Sequence, residues 1–325
     1  MIGYARLKPG PGFQPVNALL YYGQRVVTPP RLREAVSGGI ASAIRFWRGA
    51  GRGMVEEADL KAAATAATLE QEGLVTLPAL ADPKTISRIA AYFNAAKVVG
   101  AQGALLPLDG LPSGIASAAY PMETVLGCRE VLEMVNAPVI LRIAERYLGC
   151  TPTLSSLGVR WSFPAAATRT ETQRFHRDLD DWRFLKLFIY LTDVDEESGP
   201  HVYVLGSHKT AARMRAEVYE RAALEQRYGR QSLVTVTGAR GTAFLAATHG
   251  IHMGAPPISR PRLILQAQYS LLPVFAFNYR PVSLPVAQAI DPYVNRLLVH
   301  LKPSAEPVAP PELARKRQVA IPRNA

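Results

Sequence analysis

The sequence predicts a mainly β protein with flanking helices, arranged as an antiparallel β-sandwich with jelly-roll character. Two observations support this class. Before residue 150, apolar residues recur at helical spacing between Gly and Pro signals. After residue 150, short runs rich in β-branched and aromatic residues alternate with turns, as in a sandwich or barrel. The 325 residues, 48% of them hydrophobic, are enough for one large domain or two small ones.

The N-terminal part is predicted to be helical after an irregular beginning. Residues 1–30 carry Gly and Pro at short intervals, which predicts a lead-in without regular structure. Periodicity and capping residues then predict helices over 31–53, 54–73, 84–100 and 129–148, the last broken near Pro138, with a strand over 74–80 and a loop over 101–120.

The C-terminal part is predicted to contain the β core. Strands are expected over residues 153–163, 183–194, 201–207, 232–238, 241–248 and 262–272, and one helix over 210–229 interrupts them. Residues 303–325 are Pro-rich, which is typical of a loose tail. We therefore divide the chain into an extension over 1–64, a β domain over 65–302 and a tail over 303–325.

The charge balance is basic and bears on the partners. Lys and Arg number 37 against 26 Asp and Glu, a formal net charge of +11 at pH 7. Such a balance mildly favours an anionic small-molecule substrate, although an ordinary basic soluble surface is the explanation that we prefer. No nucleic-acid-binding motif or basic–aromatic platform supports a nucleic-acid partner. Residues 30–53 form a basic amphipathic helix, which we expect to dock on its own domain; contact with an anionic membrane is the alternative.

Several features favour the cytoplasm. Cys128 and Cys150 form neither a CxxC pair nor a zinc spacing, as expected of core thiols in a reducing compartment. No stretch of 18 apolar residues predicts a membrane span. The first 23 residues lack the pattern of a secretory signal.

The motif His176-x-Asp178 points to metal chemistry. In an extended strand, residues two apart point to the same face, roughly 6–7 Å from one another along it, so both could bind one ion. A third ligand from a distant strand would complete a set of two histidines and one carboxylate, which leaves positions open and suits ferrous iron. The motif alone is weak, because it occurs by chance in many chains.

Three longer stretches strengthen this hypothesis. The run FHRDLDDWRFLKLFIYLTDVDEESGPHVYVLGSHK (175–209) resembles the phytanoyl-CoA dioxygenase family of iron(II)/2-oxoglutarate-dependent oxygenases. The block ATHGIHMGAPPISRPRLILQAQYS (247–270) is similar to the distal segment of that family, and LEQEGLVTLPALADP (69–83) is a weaker match. The resemblance covers roughly residues 65–275. It implies a double-stranded β-helix, the cupin-like form of the jelly roll, with iron(II), 2-oxoglutarate and O2 as its chemical partners.

The resemblance also implies roles for residues. His176 and Asp178 match two iron ligands, and His252, followed by Met253-Gly254, matches the distal one. Arg262, ten residues further on, would bind the far carboxylate of 2-oxoglutarate. His249 is the alternative ligand, with Arg260 as its anchor, but Arg260 precedes a proline in a loop whereas Arg262 opens an apolar strand. The family usually has an acidic residue at the position of Ala247, so the matching pattern is incomplete there.

Strand alternation adds further candidates. Lys186 and Phe188 share one face of the strand over 183–194 and could contact the co-substrate, although Lys186 could equally reach solvent at the rim. Arg160 and Gln173 lie on segments that lead into the same region, and His249, if not a ligand, is a pocket residue. Asp180 would face the substrate if the strand continued; otherwise Asp180 and Asp181 form a solvated turn.

The function implied by this resemblance is hydroxylation of an unactivated C–H bond of a small molecule, with 2-oxoglutarate converted to succinate and CO2. Desaturation or ring formation stays open. The alternative is a metal-binding β-helix protein without oxygenase activity.

Overall fold

The computed structural model describes residues 4–48, 56–100, 103–164, 171–210, 214–215, 217–285 and 290–302. Within these ranges the helices are α1 (Pro15–Val26), α2 (Pro30–Arg48), α3 (Glu56–Glu72), α4 (Pro83–Ala95), α5 (Met122–Gly127), α6 (Arg129–Val135), α7 (Pro138–Leu148), α8 (Arg221–Tyr228) and α9 (Pro292–Asn295). None of these helices is both long enough and apolar enough to cross a membrane.

The strands form three sheets. They are β1 (Leu74–Leu77), β2 (Val98–Val99), β3 (Leu105–Leu106), β4 (Ser117–Ala119), β5 (Thr153–Ser162), β6 (Phe184–Tyr190), β7 (His201–Val204), β8 (Leu233–Val236), β9 (Ala243–Ala246), β10 (His252–Gly254), β11 (Arg262–Ser270), β12 (Val282–Pro285) and β13 (Val299–Lys302). The large sheet has the order β1-β9-β6-β11-β5-β4-β2-β3 and is antiparallel throughout. A small sheet has the order β10-β7-β8, and β12 pairs with β13. The predicted jelly roll with flanking helices is confirmed.

The large sheet separates two apolar cores. On one face, Leu187 of β6 and Leu265 of β11 pack in a core with Leu69 of α3 and Ile143 of α7. On the other face, Phe188, Tyr190 and Ile264 join Tyr203 of the small sheet in a second core. This alternation along β6 is what the sequence predicts, and it aims Lys186 and Phe188 into the space between the two sheets.

The turn from α3 into β1 depends on a glycine. Gly73 adopts a φ of +84°, and a Cβ at this position would lie 2.2 Å from the hydroxyl oxygen of Tyr203. Because an L side chain is strained at this φ and there is no room for one, only glycine fits. The predicted end of the second helix at Gly73 is thus confirmed.

The beginning of the chain differs from the prediction. Residues 1–30 are not all irregular, because α1 forms within them. Pro15 begins α1, and Ala18 and Tyr21 pack against Leu7 and Val274. Since Val274 lies far along the sequence, local periodicity could not reveal this packing. Helix α2 docks on the domain through Arg33, Ser37 and Ala41, as expected.

Other predicted boundaries shift. The helix predicted over 84–100 ends at Ala95, because Val98 and Val99 pair with β3 and β4. The loop predicted over 101–120 contains those two short strands. Among the described residues of the helix predicted over 210–229, only those of α8 are helical, and Tyr219 instead bridges Phe175. Helix α3 runs through the predicted boundary between residues 64 and 65, so the division there stays a prediction. The predicted tail, 303–325, lies outside the described residues.

Candidate metal centre and its cavity

Two extended segments bring the predicted ligands together at the edge of the small sheet. The backbone N–H of His176 donates to the carbonyl of His252 (2.9 Å), and the N–H of His252 donates to the carbonyl of His176 (3.0 Å). The N–H of Asp178 donates to the carbonyl of Thr248 (3.0 Å). His176 forms an isolated bridge rather than the regular strand that we expected, but the pairing sets both ligand segments side by side.

The three side chains form a compact ligand set. Each of His176, Asp178 and His252 offers one ligand atom, and these atoms all lie within 4.8 Å of one another. The Nε2 atom of His176 lies 3.4 Å from Oδ1 of Asp178, and that of His252 lies 3.5 Å from Oδ2. Two imidazoles and one carboxylate at this spacing fit a ferrous ion with open coordination positions.

Backbone carbonyls orient both imidazoles. Nδ1 of His176 lies 2.8 Å from the carbonyl oxygen of Arg174, and Nδ1 of His252 lies 3.0 Å from that of Gly250. A carbonyl oxygen only accepts, so these contacts place the proton on Nδ1 and leave the Nε2 lone pair for a metal. Burial lowers the pKa of His252 to about 4, which keeps this ring neutral at pH 7.

Lys186 is the charged partner of the carboxylate. Its Nζ lies 2.6 Å from Oδ2 of Asp178 and 3.1 Å from Oδ2 of Asp180. Burial alone would raise the pKa of Asp178. The charge of Lys186, together with His252 and His176, lowers this pKa by more than burial raises it, so that it lies well below its usual range. Lys186 is therefore not a rim lysine that reaches solvent, because both carboxylates hold it inside the barrel.

A cavity of about 100 Å³ opens beside the three ligands. Its walls combine the ligand set with basic, aromatic and amide side chains. They are Arg160, Thr172, His176, Asp178, Lys186, Phe188, His201, His252, Gly254, Arg262, Ile264 and Gln266. Polar groups thus converge on a small, partly enclosed space, which is the usual form of a ligand site.

Arg262 lies at this cavity and Arg260 does not. The Arg262 guanidinium is buried, donates to the carbonyl of Gly199 and lies 3.4 Å from the hydroxyl of Ser162, whereas its Nε has no partner among the described residues. A Cβ on Gly254 would lie 3.3 Å from Arg262 Nη2, so glycine leaves room for the guanidinium. Burial lowers the pKa of Arg262 to about 10, and the group stays charged at pH 7. Arg260 is exposed and pairs with Asp195 at 2.6 Å.

The remaining predicted candidates divide by location. Arg160 and Phe188 line the cavity, and Gln173 lines an adjoining space of about 40 Å³ that also borders Arg160 and Arg262. Asp180 pairs with Lys186 and is not simply a solvated turn residue. His249 is not among the lining residues; its ring packs 5.8 Å from that of Phe184 and borders a separate cavity.

Asp181 also corrects the prediction of a solvated turn. It is completely buried, and its Oδ1 accepts from the backbone N–H of Trp182 (2.8 Å) and from Nε2 of Gln24 (3.2 Å). Its Oδ2 accepts from the N–H of Leu272 (2.8 Å), and Arg33 Nη2 donates to its carbonyl (2.9 Å). The helices before residue 50 are thereby tied to the loop that follows the metal ligands.

Sequence reasoning missed two residues of the cavity. His201, expected only to start a strand, lies between the rings of Phe188 (4.9 Å) and His252 (5.4 Å), and burial holds its pKa well below the usual range. Gln266 shares a strand face with Arg262 and Ile264. The same alternation that selected Lys186 and Phe188 would have found Gln266, whereas His201 carried no comparable signal.

These features define a jelly-roll protein with a two-histidine, one-carboxylate metal site. The family model described as phytanoyl-CoA dioxygenase (PhyH) matches residues 69–261. This match spans more than half of the 325 residues, so the chain belongs to the phytanoyl-CoA dioxygenase family. Helices α1 and α2 precede the matched region.

Solved structures are similar to this chain at low sequence identity. EctD from S. alaskensis with 2-oxoglutarate and 5-hydroxyectoine is 20% identical, with 77% of this chain and 91% of EctD covered at a TM-score of 0.50. The non-heme alpha ketoglutarate dependent carbocyclase SnoK from nogalamycin biosynthesis is 20% identical, with 67% of this chain and 84% of SnoK covered at a TM-score of 0.47. No curated protein matches the sequence.

Proposed function

We propose that this protein is an Fe(II)/2-oxoglutarate-dependent oxygenase that hydroxylates an unactivated C–H bond of a small molecule, with 2-oxoglutarate converted to succinate and CO2. One observation carries the proposal. The ligand set of His176, Asp178 and His252 lies at the same small cavity as the buried, charged guanidinium of Arg262. A metal and a dicarboxylate can therefore be held side by side.

The residues take distinct roles. His176, Asp178 and His252 would hold the iron, which supplies the oxidation of the C–H bond by O2 when it is bound together with 2-oxoglutarate. Arg262 would bind the far carboxylate of 2-oxoglutarate, because a planar guanidinium offers two parallel donors to a carboxylate. Its Nε has no partner among the described residues, and the lack of a side chain at Gly254 leaves the guanidinium uncrowded, which agrees with such a role.

The other cavity residues position and shield the reactants. Lys186 keeps Asp178 ionised, so that the carboxylate is ready to bind a cation, and its direct contact with the co-substrate stays a prediction. Phe188 and Ile264 form an apolar part of the cavity wall, which limits the access of water to the metal ligands. His201 is neutral, and its Nε2 has no partner among the described residues, so it can exchange a hydrogen bond with a bound molecule.

Two further observations support the proposal. The EctD structure contains 2-oxoglutarate, the co-substrate that we assign to Arg262. Cys128 and Cys150 are both free thiols, which agrees with a reducing compartment such as the cytoplasm.

An anaerobic titration tests the proposal. Iron(II) and 2-oxoglutarate are added to the purified protein, and the weak visible charge-transfer band of their joint complex is recorded. Arg262→Gln should weaken the binding of 2-oxoglutarate at least ~10-fold, because a charged hydrogen-bonded pair is lost. Arg260→Gln removes an equal charge at the exposed position and should leave the affinity unchanged.

The outcomes separate the two functional classes. A band, followed by succinate release when air and substrate are admitted, supports the oxygenase. Iron binding to the wild type without any band on addition of 2-oxoglutarate would instead indicate a metal-binding protein that lacks oxygenase activity.

A further inference from the structure

Arg160 is a cation in the metal cavity whose guanidinium has no hydrogen-bond or ion-pair partner among the described residues. It lies on β5 opposite Ile264, next to the pair formed by Ser162 and Arg262. Its guanidinium lines the cavity, yet it makes no hydrogen bond or ion pair with any other residue that the structure describes. A guanidinium has five N–H donors, and a site that leaves all of them unused is prepared for a ligand that accepts.

The charge balance of the cavity indicates which kind of ligand it can bind. Its described walls carry three cations, Arg160, Lys186 and Arg262, and one carboxylate, Asp178. Asp180, paired with Lys186, supplies a second carboxylate. Doubly positive iron and doubly negative 2-oxoglutarate would cancel each other. With three cations and two ionised aspartates, one positive charge therefore stays uncompensated. This is the smallest possible excess of positive charge, because a protonated aspartate would increase it.

The space beside Arg160 is open. Gly158 precedes Arg160 by two residues on the same face of β5, and a Cβ at Gly158 would meet nothing within 4 Å. Gln266 pairs with Gly158 across the strands and lines the cavity. Its side-chain amide makes no hydrogen bond among the described residues. The Arg160 guanidinium and the Gln266 amide thus lie next to the open space at Gly158.

We infer that Arg160, Gln266 and the gap at Gly158 form the substrate subsite, and that the substrate is a small molecule with a singly charged carboxylate. The inference rests on the proposed function and adds the class of substrate to it. Arg160 binds the carboxylate, and the three residues that would hold the metal line the same cavity of about 100 Å³. The oxidised carbon is therefore close to the acid group. A phosphate, which carries nearly two charges, would exceed the single charge that is missing.

Paired probes test the subsite. Propionate and propionamide have similar size and differ in charge, and their binding to anaerobic protein loaded with iron(II) and saturating 2-oxoglutarate is measured by calorimetry. Wild type should bind propionate roughly 10- to 100-fold more tightly than propionamide, because a charged hydrogen-bonded pair forms. Persistence of the visible band during the titration shows that propionate has not displaced 2-oxoglutarate.

Three variants identify the residues. Arg160→Gln should abolish the preference for propionate and leave 2-oxoglutarate affinity unchanged, whereas Arg160→Lys should retain part of the preference. Gly158→Leu should weaken both probes alike, because it fills the gap without removing charge. Arg240→Gln removes a positive charge from an exposed position and should change nothing.

The results distinguish the subsite from the proposed function. Equal binding of the two probes, or loss of 2-oxoglutarate affinity in Arg160→Gln comparable to that in Arg262→Gln, would overturn the subsite while the oxygenase stands. Absence of the band in the wild type would overturn the proposed function itself. An unchanged melting temperature of Arg160→Gln excludes misfolding as the cause of lost binding.

Discussion

Lys186 is the residue on which the charge balance of the metal site depends. Its ammonium contacts both Asp178 and Asp180 inside the barrel. Burial would lower the pKa of Lys186, but the two carboxylates raise it by more, so it stays charged. A buried ion pair of this kind adds little stability as a whole, yet removal of one partner leaves the other charge unpaired.

Lys186→Met should therefore destabilise the metal-free protein by about 3–5 kcal/mol, because two neighbouring carboxylates lose their shared cation. Zn²⁺ should recover much of this loss, since the metal supplies the missing positive charge at Asp178. Urea denaturation with and without zinc measures both effects. Lys61→Met, at an exposed lysine of α3, should change stability by no more than about 0.5 kcal/mol. Equal effects of the two substitutions would contradict the role of Lys186.

At the residue scale, the sequence predicted identities better than environments. The spacing of His176 and Asp178 suggested a pair of ligands, and the family pattern added His252 and Arg262; the structure brings all four to one cavity. The pairing of Lys186 with two aspartates could not be predicted, since it depends on how the loop after Asp178 folds back over β6.

At the scale of elements, Asp181 connects four segments. Helices α1 and α2, the loop after the metal ligands and the segment after β11 all contact this carboxylate or its backbone. Burial raises the pKa of Asp181 to about 7. The Asp181 carboxyl group therefore keeps its proton in the folded protein at pH values where the same group has lost it in the unfolded chain.

This pKa sets an expected pH dependence. Stability from the retained proton is fully present below about pH 4 and is lost as the pH rises to about 7. The difference in unfolding free energy between wild type and Asp181→Asn should fall by about 1.4 kcal/mol per pH unit across this window and stay level above it. Urea denaturation of both proteins between pH 4 and pH 8 measures this difference. A difference that does not vary with pH would show that Asp181 is ionised throughout.

The elements themselves were predictable where local signals agree. Strands β5 to β9 and β11 each form within a β-rich run of the sequence. The break between α6 and α7 is explained by Pro138. Helix α1 and strand β10 were not predicted. The first depends on packing against Val274, and the second has only three residues, whose pairing with His201, Val202 and Tyr203 is set by the fold.

At the scale of the whole molecule, the metal site links segments that are distant in sequence. His176 and His252 bridge through their backbones, so the fold itself holds the two ligand segments together. A metal that binds this arrangement and not the unfolded chain must stabilise the entire fold.

Zinc, as a redox-inert ion, should raise the free energy of unfolding by about 2.7 kcal/mol at a concentration 100 times its Kd. Thermal denaturation at several zinc concentrations measures this effect. Asp178→Asn should lose most of it, because the only carboxylate of the ligand set is removed. His300→Gln, at an exposed histidine, should keep it in full. Full stabilisation of Asp178→Asn would place the zinc elsewhere.

The contact between α2 and the ligand loop provides the protein with an internal optical reporter. Arg33 lies over the ring of Trp182, 5.1 Å from its centroid, next to Asp181. The sequence has three tryptophans, of which Trp47 is exposed and Trp161 is buried on β5. In a Trp47→Phe background, a red shift of the fluorescence emission after Arg33→Met would therefore arise from Trp182. Separation of the N-terminal helices from the metal loop could thus be followed in real time and without a label.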